Sequence, residues 1–366
     1  GETPYYNFDD NEGDKKMCNS SMVEFECAFQ GMRNEKKWIL KSGKCVEDEL
    51  YAFGKKCQFE HLTHSFIIDP DDETYIQNNI FTSEELSEIQ HNRRVLDTRQ
   101  DWEGRNFDRT KYFNFDWIKN TIHNLLLEFE SGTLQQDHLE AWYNIHVWSF
   151  IDKSFNELEG IDVSRGESCS LASSKRKNKK RVIQGLVETA RKALGRKGDL
   201  ILRKGVYEYG ASEVGKDYEG DNGTKLLKER GLKSPKMLKD MLVDLGNFIK
   251  WETNKLRQLE LVSFIHAGLF MMLLRMDAPA GYVCRITRTD TLEIPTNVKC
   301  FDKALKCMVL TWKAKVIICK TIDVVERTND DDDALEDLQE AGIRKNKDLV
   351  IPNCVQTPSK KRTQIC

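Results

Sequence analysis

The sequence predicts a mixed α/β fold, in which helices flank a small central sheet. Three observations support this class. Residues 198–216 show two short strand-like stretches joined at Lys204-Gly205, which is the pattern of a β-hairpin. Apolar residues between 238 and 256 recur at helical spacing directly after Ser234-Pro235, a helix-start signal. Short apolar strands follow between 261 and 292, so strands and helices alternate along the chain.

The segments before the hairpin are irregular first and helical afterwards. Residues 1–80 mix cysteine, glycine, charged and aromatic residues without sustained periodicity, which indicates an irregular Cys-containing amino-terminal region. Thr82 and Glu85 have the spacing of a capping box and predict a helix start. Residues 115–129 and 134–155 each carry apolar side chains at helical spacing, so they predict two further helices.

The closing part of the chain predicts strands, a helix and a tail. Strands are expected at 261–265, 269–276 and 282–292, with Pro279 and Gly281 in the last turn. Apolar spacing over 298–325 predicts a closing helix. The predicted organisation is an irregular region at 1–80, a helical segment at 81–133, an α/β domain at 134–327, and an acidic then basic mobile tail at 328–366.

Composition indicates a packed core with a well-solvated surface. Of 366 residues, 39% are hydrophobic and 31% are charged, and a net charge of -3 does not by itself indicate a polyanion partner. No apolar stretch is long enough to cross a bilayer, and no secretory signal is visible. We therefore expect no membrane contact and a nuclear or cytoplasmic location.

The cysteines indicate free thiols in a reducing compartment. There are eleven of them, and no two form a CxxC pair. A zinc site is the alternative for the early group, whose spacing fits no common zinc module. That group comprises Cys18, Cys27, Cys45, Cys57, His61 and His64.

The hairpin carries the residues with the clearest chemistry. Asp199 opens its first strand, Glu213 lies near the end of its second, and Lys216 follows three residues later. Two carboxylates on adjacent strands offer oxygen ligands to a hard divalent cation, Mg²⁺ or Mn²⁺. A nearby lysine can orient an attacking water or help to deprotonate it. This set of groups is suited to metal-assisted cleavage of a phosphodiester.

The order of these residues resembles the core of the PD-(D/E)xK endonuclease superfamily over roughly residues 134–325. The resemblance consists of an acidic residue on a helix, then an Asp strand, then a Glu strand with a following lysine. It implies a Mg²⁺-dependent nuclease core in which Asp199 and Glu213 hold the metal and Lys216 lies beside the water. Glu140 or Glu157 on the preceding helix adds a carboxylate. The chain is also similar to fungal proteins with a basic run, an Asp strand and a Glu strand in this order.

Two details of the second strand limit the match. The family usually has one residue between the second acid and the lysine, whereas Val214 and Gly215 both intervene here. Strand alternation places Glu208 and Glu213 on opposite faces unless Gly210 carries a bulge. Glu213 is therefore the preferred ligand, and Glu208 is the reserve candidate.

A phosphate loop is a rival interpretation of the same segment. Residues 210–216 satisfy the G-x4-G-K pattern, but Asp217 stands where a Ser or Thr hydroxyl should meet magnesium. A further alternative is that the hairpin acids only solvate the surface of the sheet.

A basic run precedes the Asp strand. It predicts a nuclear-import signal or contacts to a polyanion backbone, and the alternative is a solvated loop. The expected nucleic-acid-binding residues are Lys175, Arg176, Lys177, Lys179, Lys180, Arg181, Arg196 and Lys197. The predicted function is a metal-dependent nuclease acting on DNA or RNA. The alternative is a non-catalytic nucleic-acid or protein-binding module with a nuclease-like fold.

Overall fold

A mixed sheet with helices on both faces forms the centre of the protein, so the predicted α/β class is confirmed. The sheet has eight strands in the described ranges and is larger than the small sheet that was predicted. The computed structural model describes residues 16–91, 112–179, 192–215, 218, 220, 229–336 and 349–355. The helices in these ranges are α1 (Asn19–Gln30), α2 (Val46–Gly54), α3 (Thr74–Gln77), α4 (Ser83–His91), α5 (Phe113–Ser131), α6 (Glu140–His146), α7 (Ser149–Lys153), α8 (Leu171–Asn178), α9 (Ser234–Phe248), α10 (Thr253–Leu256) and α11 (Asp302–Glu336). The strands are β1 (Ile67–Ile68), β2 (Ile161–Cys169), β3 (Lys197–Lys204), β4 (Tyr207–Gly215), β5 (Glu260–Ala267), β6 (Phe270–Asp277), β7 (Cys284–Arg288) and β8 (Leu292–Glu293).

The strands of the described ranges form one eight-stranded sheet in the order β1-β7-β6-β5-β4-β3-β2, with β8 paired to β6. Strands β2, β3 and β4 form an antiparallel meander. The β3–β4 turn contains Gly205 at φ +60°, a left-handed conformation that glycine adopts without strain. Strand β5 is parallel to β4, which requires a crossover, and α9 supplies it.

Helices α8 and α11 lie on opposite faces of the sheet. Lys204 of β3 pairs with Glu326 of α11, whereas its neighbour Arg203 contacts Glu208, which in turn binds the start of α8. Successive strand residues project to opposite faces, so the two helices are separated by the sheet. Helix α9 packs against α8 and against β4, β5 and β6. We call the side with α8 and α9 the α9 face, and the other side the α11 face.

The amino-terminal segment is part of the same packed structure. Strand β1 pairs in parallel with β7 at the far edge of the sheet. Glu60 forms an ion pair with Lys236 of α9, and both side chains are buried. The Lys239 ammonium donates to the Ser65 carbonyl oxygen. This region was predicted to be irregular because its helices are short and their apolar residues are interrupted by charge.

Several boundaries differ from the sequence prediction. The helix expected at 134–155 is broken into α6 and α7. The closing helix starts at Asp302 and continues to Glu336, beyond its predicted end. Within the expected mobile tail, Ile351 and Val355 are buried, and the Val355 amide donates to Ser65 Oγ. Among the described helices, none combines the length and apolar content that a membrane span needs.

Candidate functional site

Asp199 and Glu213 lie at the end of the ladder between β3 and β4. The last register pair before them is Leu200 with Ser212, so the next residue on each strand is one of the two acids. The register pairing stops at Leu200 and Ser212 and does not extend to the two acids. The Val214 amide donates to Asp199 Oδ2 at 2.7 Å, so the half-buried Asp199 carboxylate reaches the residue that follows Glu213.

Glu213 is covered by a lysine that sequence reasoning missed. Lys233 Nζ lies 2.7 Å from Glu213 Oε2, and the Glu213 side chain is 1% exposed against 21% for Lys233. Lys233 immediately precedes α9, so the crossover helix returns it to the end of β4. The predicted Lys216 lies outside the described residues. The helix-start signal at Ser234-Pro235 was the one sequence feature that placed Lys233 at the start of the crossover.

Glu208, the reserve candidate for a metal ligand, binds the start of α8 instead. The ladder shifts register between Leu202 and Arg203, so β4 contains the bulge that the alternation argument required. Glu208 accepts hydrogen bonds from Ser170 Oγ at 2.6 Å and from the Leu171 amide at 2.8 Å. Its carboxylate therefore caps the amino-terminal end of α8, where unpaired amides and the helix dipole favour negative charge.

Glu140 lies across the sheet from the two hairpin acids. It starts α6, and Asn144 of the same helix contacts His266 Nε2 at 3.3 Å. Ile265 is the register partner of Glu213, so His266, the next residue of β5, projects to the other face. Helix α6 therefore packs on the α11 face, and the structure does not bring Glu140 to Asp199 and Glu213.

Glu157, the second helix acid considered, also lies on the α11 face. It forms an ion pair with Lys315 of α11.

His266 belongs to the buried core. Its burial, and to a smaller extent the positive charge of Arg165, lower the pKa of His266 to about 3, so the ring is neutral at pH 7. Ser212 Oγ lies 3.4 Å from His266 Nδ1, but both side chains are buried, so no substrate reaches this pair.

Two arginines of the predicted nucleic-acid-binding set face the protein interior. Arg176 Nε and Arg196 Nη1 each lie 2.7 Å from a different oxygen of Asp240 on α9. Ser173 Oγ also donates to Asp240, at 2.8 Å. Burial alone raises the pKa of Asp240, but the two guanidinium groups and this hydroxyl outweigh it and lower the pKa. This cluster joins α8, β3 and α9.

The lysines of the same set are more accessible. Lys175 is 49% exposed while it pairs with Asp244, and its ammonium lies 5.2 Å from the centre of the Tyr207 ring. Lys179 is exposed, and Lys177 and Lys197 are half-buried. The two remaining predicted residues, Lys180 and Arg181, lie outside the described ranges. The accessible positive charge on α8 is therefore carried by lysines.

The phosphate-loop interpretation is wrong. Residues 210–215 form the carboxyl-terminal part of β4 and pair in register with β5, so their backbone groups serve the sheet and do not form a loop around an anion.

The zinc alternative also finds no support in the described part of the chain. There, no group of three or more His, Cys, Asp or Glu side chains is placed to hold a metal ion. His61 Nε2 instead contacts Asp72 Oδ2 at 2.9 Å, and His64 Nε2 contacts the Gly54 carbonyl oxygen at 2.9 Å. Both histidines therefore serve the packing of the amino-terminal segment.

Comparison of the chain with protein-family models, with curated proteins and with solved structures finds no match. The fold and the geometry of the site are therefore the observations from which function is inferred.

Proposed function

We propose that the protein is a metal-dependent nuclease that hydrolyses phosphodiester bonds at Asp199 and Glu213. The observation that carries the proposal is the placement of these two acids directly after the Leu200–Ser212 pair. A Val214 amide fixes one oxygen of Asp199, so the carboxylate is held in place before any ligand arrives. The proposal assigns the other oxygen of this carboxylate to the cation.

The donor set fits a hard divalent cation. Both acids offer oxygen ligands, and nitrogen or sulfur ligands are not among them, which is the preference of Mg²⁺ and Mn²⁺. Mg²⁺ is usually held by one or two protein carboxylates, and water molecules complete its coordination shell. When bound, the cation would polarise a phosphoryl oxygen and stabilise the charge that develops on it.

The element order is consistent with the resemblance to the PD-(D/E)xK superfamily. Helices α5 to α7 precede the meander, β3 carries Asp199, β4 carries Glu213, and α9 leads to a strand parallel to β4. The acid on the preceding helix differs, since Glu140 lies on the α11 face. The proposal therefore depends on the two hairpin acids alone.

The reaction is a hydrolysis with a simple balance. The oxygen of water forms a bond to phosphorus, and the bond from phosphorus to the leaving sugar oxygen breaks. One proton of the water is lost to solvent, and the leaving oxygen takes one up. Asp199 and Glu213 would hold the cation and position it relative to the phosphate.

The test is a cleavage assay with the full chain. Labelled single- and double-stranded DNA and RNA are incubated with Mg²⁺ or Mn²⁺ at about 1–10 mM, a concentration suited to a weakly held divalent cation. A chelator replaces the metal in parallel reactions. We expect products only with the divalent cation. Absence of cleavage of all four substrates in both metals would remove the nuclease proposal.

The burial of Glu213 favours the second candidate, a nucleic-acid-binding module without cleavage. A carboxylate that is 1% exposed and covered by Lys233 cannot receive a metal without a rearrangement. Binding would then depend on the accessible lysines of α8. Retained binding of oligonucleotides together with no metal-dependent cleavage would support this candidate.

Neutralising the α8 lysines tests the binding surface under either candidate. In the double variant Lys175→Gln/Lys179→Gln, the negative slope of log Kobs against log salt is expected to become shallower by about one unit per lysine, because each phosphate contact releases counterions. The slope is measured by fluorescence anisotropy with a labelled duplex. Lys299→Gln, an exposed lysine before α11, is the control and should leave the slope unchanged. An unaltered slope in the double variant would mean that these lysines do not contact nucleic acid.

A further inference from the structure

Helices α5, α6 and α7 enclose a cavity that is separate from the hairpin acids. Helix α5 packs against α6 and α7, and the space between them has a volume of about 120 Å³. Neither Asp199 nor Glu213 is among its lining residues. We call this space the α5–α7 cavity. The lining residues that bear on its ligand are Asp116, Trp117, Asn120, Asn124, Phe150 and Lys153.

The buried lining residues form an apolar floor that is held in place. Trp117 and Phe150 are buried, and their ring centres lie 6.3 Å apart. The Trp117 indole donates to the Phe150 carbonyl oxygen at 2.8 Å, which ties α5 to α7. A flat aromatic ligand gains contact area on such a floor, whereas a water molecule finds no hydrogen-bond partner there.

The exposed lining residues form a rim that carries two amides. Asp116, Asn120 and Asn124 recur at every fourth residue of α5, so they lie along one side of that helix. Asn120 and Asn124 are exposed, and each of their amides offers a donor and an acceptor side by side. Such an amide matches the edge of a nucleobase, where donors and acceptors also lie side by side.

The charges around the cavity disfavour a simple anion. Lys153 of α7 is positive, but Asp116 on the opposite wall is negative. His146 Nδ1 lies 2.8 Å from Glu128 Oε1, which places a further carboxylate beside the lining residues. A phosphate would therefore meet negative charge close to the lysine, whereas an uncharged ring would not.

The volume of the cavity favours a single ring. An apolar cavity of roughly 150 Å³ takes up benzene. The α5–α7 cavity is slightly smaller, at about 120 Å³. A pyrimidine ring has the size of benzene and carries polar edges, whereas a purine adds a second ring. The exposed rim at Asn120 and Lys153 leaves room for an attached sugar in solvent.

We propose that the α5–α7 cavity binds a single pyrimidine base, uracil or cytosine. The ring lies on the floor of Trp117 and Phe150, and Asn120 and Asn124 bind its edge. A free nucleoside and an unstacked base of a single strand present the same ring and edge, so either can supply it. The inference goes beyond the proposed nuclease function, because none of these residues belongs to the hairpin.

Isothermal titration calorimetry of the full chain with nucleosides tests the choice of ligand, with a chelator present to prevent cleavage. We expect uridine and cytidine to bind at least about tenfold tighter than adenosine and guanosine, because the second ring does not fit. Benzyl alcohol has a ring of the same size without the polar edge, and it should bind at least about tenfold weaker than uridine. Equal binding of the four nucleosides, binding of none, or equal binding of benzyl alcohol would overturn the proposal.

The double variant Asn120→Ala/Asn124→Ala tests the place of binding. Both positions are exposed and helical, and alanine favours a helix, so the variant should fold. We expect uridine and cytidine to bind at least about tenfold weaker to it. Asn254→Ala, which removes an exposed asparagine from α10, is the matched control and should bind like wild type. Unchanged nucleoside affinity in the double variant would show that the ligand binds elsewhere and would overturn the proposal.

A single-stranded oligouridylate distinguishes the two sources of the base. If the double variant weakens the binding of both uridine and the oligonucleotide, the cavity takes a base of a strand. If it weakens the binding of uridine alone, the cavity takes a free nucleoside. No step of these measurements requires cleavage, so failure of the nuclease proposal leaves this inference unchanged.

Discussion

Asp199→Ala is expected to reduce metal-dependent cleavage by about 10³-fold, which corresponds to about 4 kcal/mol of activation free energy. The substitution removes one of the two carboxylates at the end of the β3–β4 ladder. Binding of nucleic acid should change little, because the contacts proposed for it are the lysines of α8. The measurement is single-turnover cleavage with anisotropy binding as the parallel readout.

Loss of the hydrogen bond from the Val214 amide complicates the alanine variant, so a second variant is needed. Asp199→Asn retains an acceptor for that amide and removes the charge, and cleavage should fall in the same way. Asp162→Ala, which removes an exposed carboxylate from β2, should cleave like wild type. Unchanged cleavage by both Asp199 variants would exclude Asp199 from the mechanism.

Asp240→Ala is expected to lower the free energy of unfolding by about 3–5 kcal/mol. Its carboxylate is fully buried between Arg176 and Arg196, so the substitution removes the carboxylate that both guanidinium groups contact in the interior. Urea denaturation followed by circular dichroism measures the effect. A loss below about 1 kcal/mol, the range of surface pairs, would show that the cluster does not stabilise the fold.

Asp244→Ala is the matched control, since Asp244 lies one turn later on α9 and pairs with the half-exposed Lys175. We expect a loss of at most about 1 kcal/mol there. The pH dependence gives an independent check. Because the folded-state pKa of Asp240 lies below its ordinary value of 3.8, its contribution is present above that value. The contribution is lost as the pH falls through the folded-state pKa, and this loss should be missing in Asp240→Ala.

The sequence identified the parts of the fold that local pattern controls. Alternating residues and the turn at Gly205 predicted the β3–β4 hairpin, and Ser234-Pro235 predicted the start of α9. Strand β2 was missed, because as an edge strand it carries polar residues and a bulge and not an apolar run. The break between α6 and α7 was also missed, because apolar spacing continues through it.

The sequence placed Asp199 and Glu213 on adjacent strands, and their role as metal ligands stays a prediction. Asp199 and Glu213 belong to one hairpin, so their proximity follows from local structure. Lys233 reaches Glu213 through the α9 crossover, and Arg176 and Arg196 turn inward because Asp240 lies on that same helix. Such partners depend on tertiary packing, which charge patterns along one segment do not reveal. A basic run can therefore contain both surface lysines and core arginines.

The contacts between α9 and the amino-terminal segment have a consequence for dissecting this protein into fragments. Lys236 and Lys239 are fully buried beneath residues 60–65, and β1 protects the outer edge of β7. A shortened polypeptide that begins at the α/β region would lack the groups that bind the two buried ammonium groups. It would also leave the edge of β7 open to pairing with other molecules. The hairpin acids and residues 16–91 thus belong to one packed structure, so biochemical work on the acids requires the intact polypeptide.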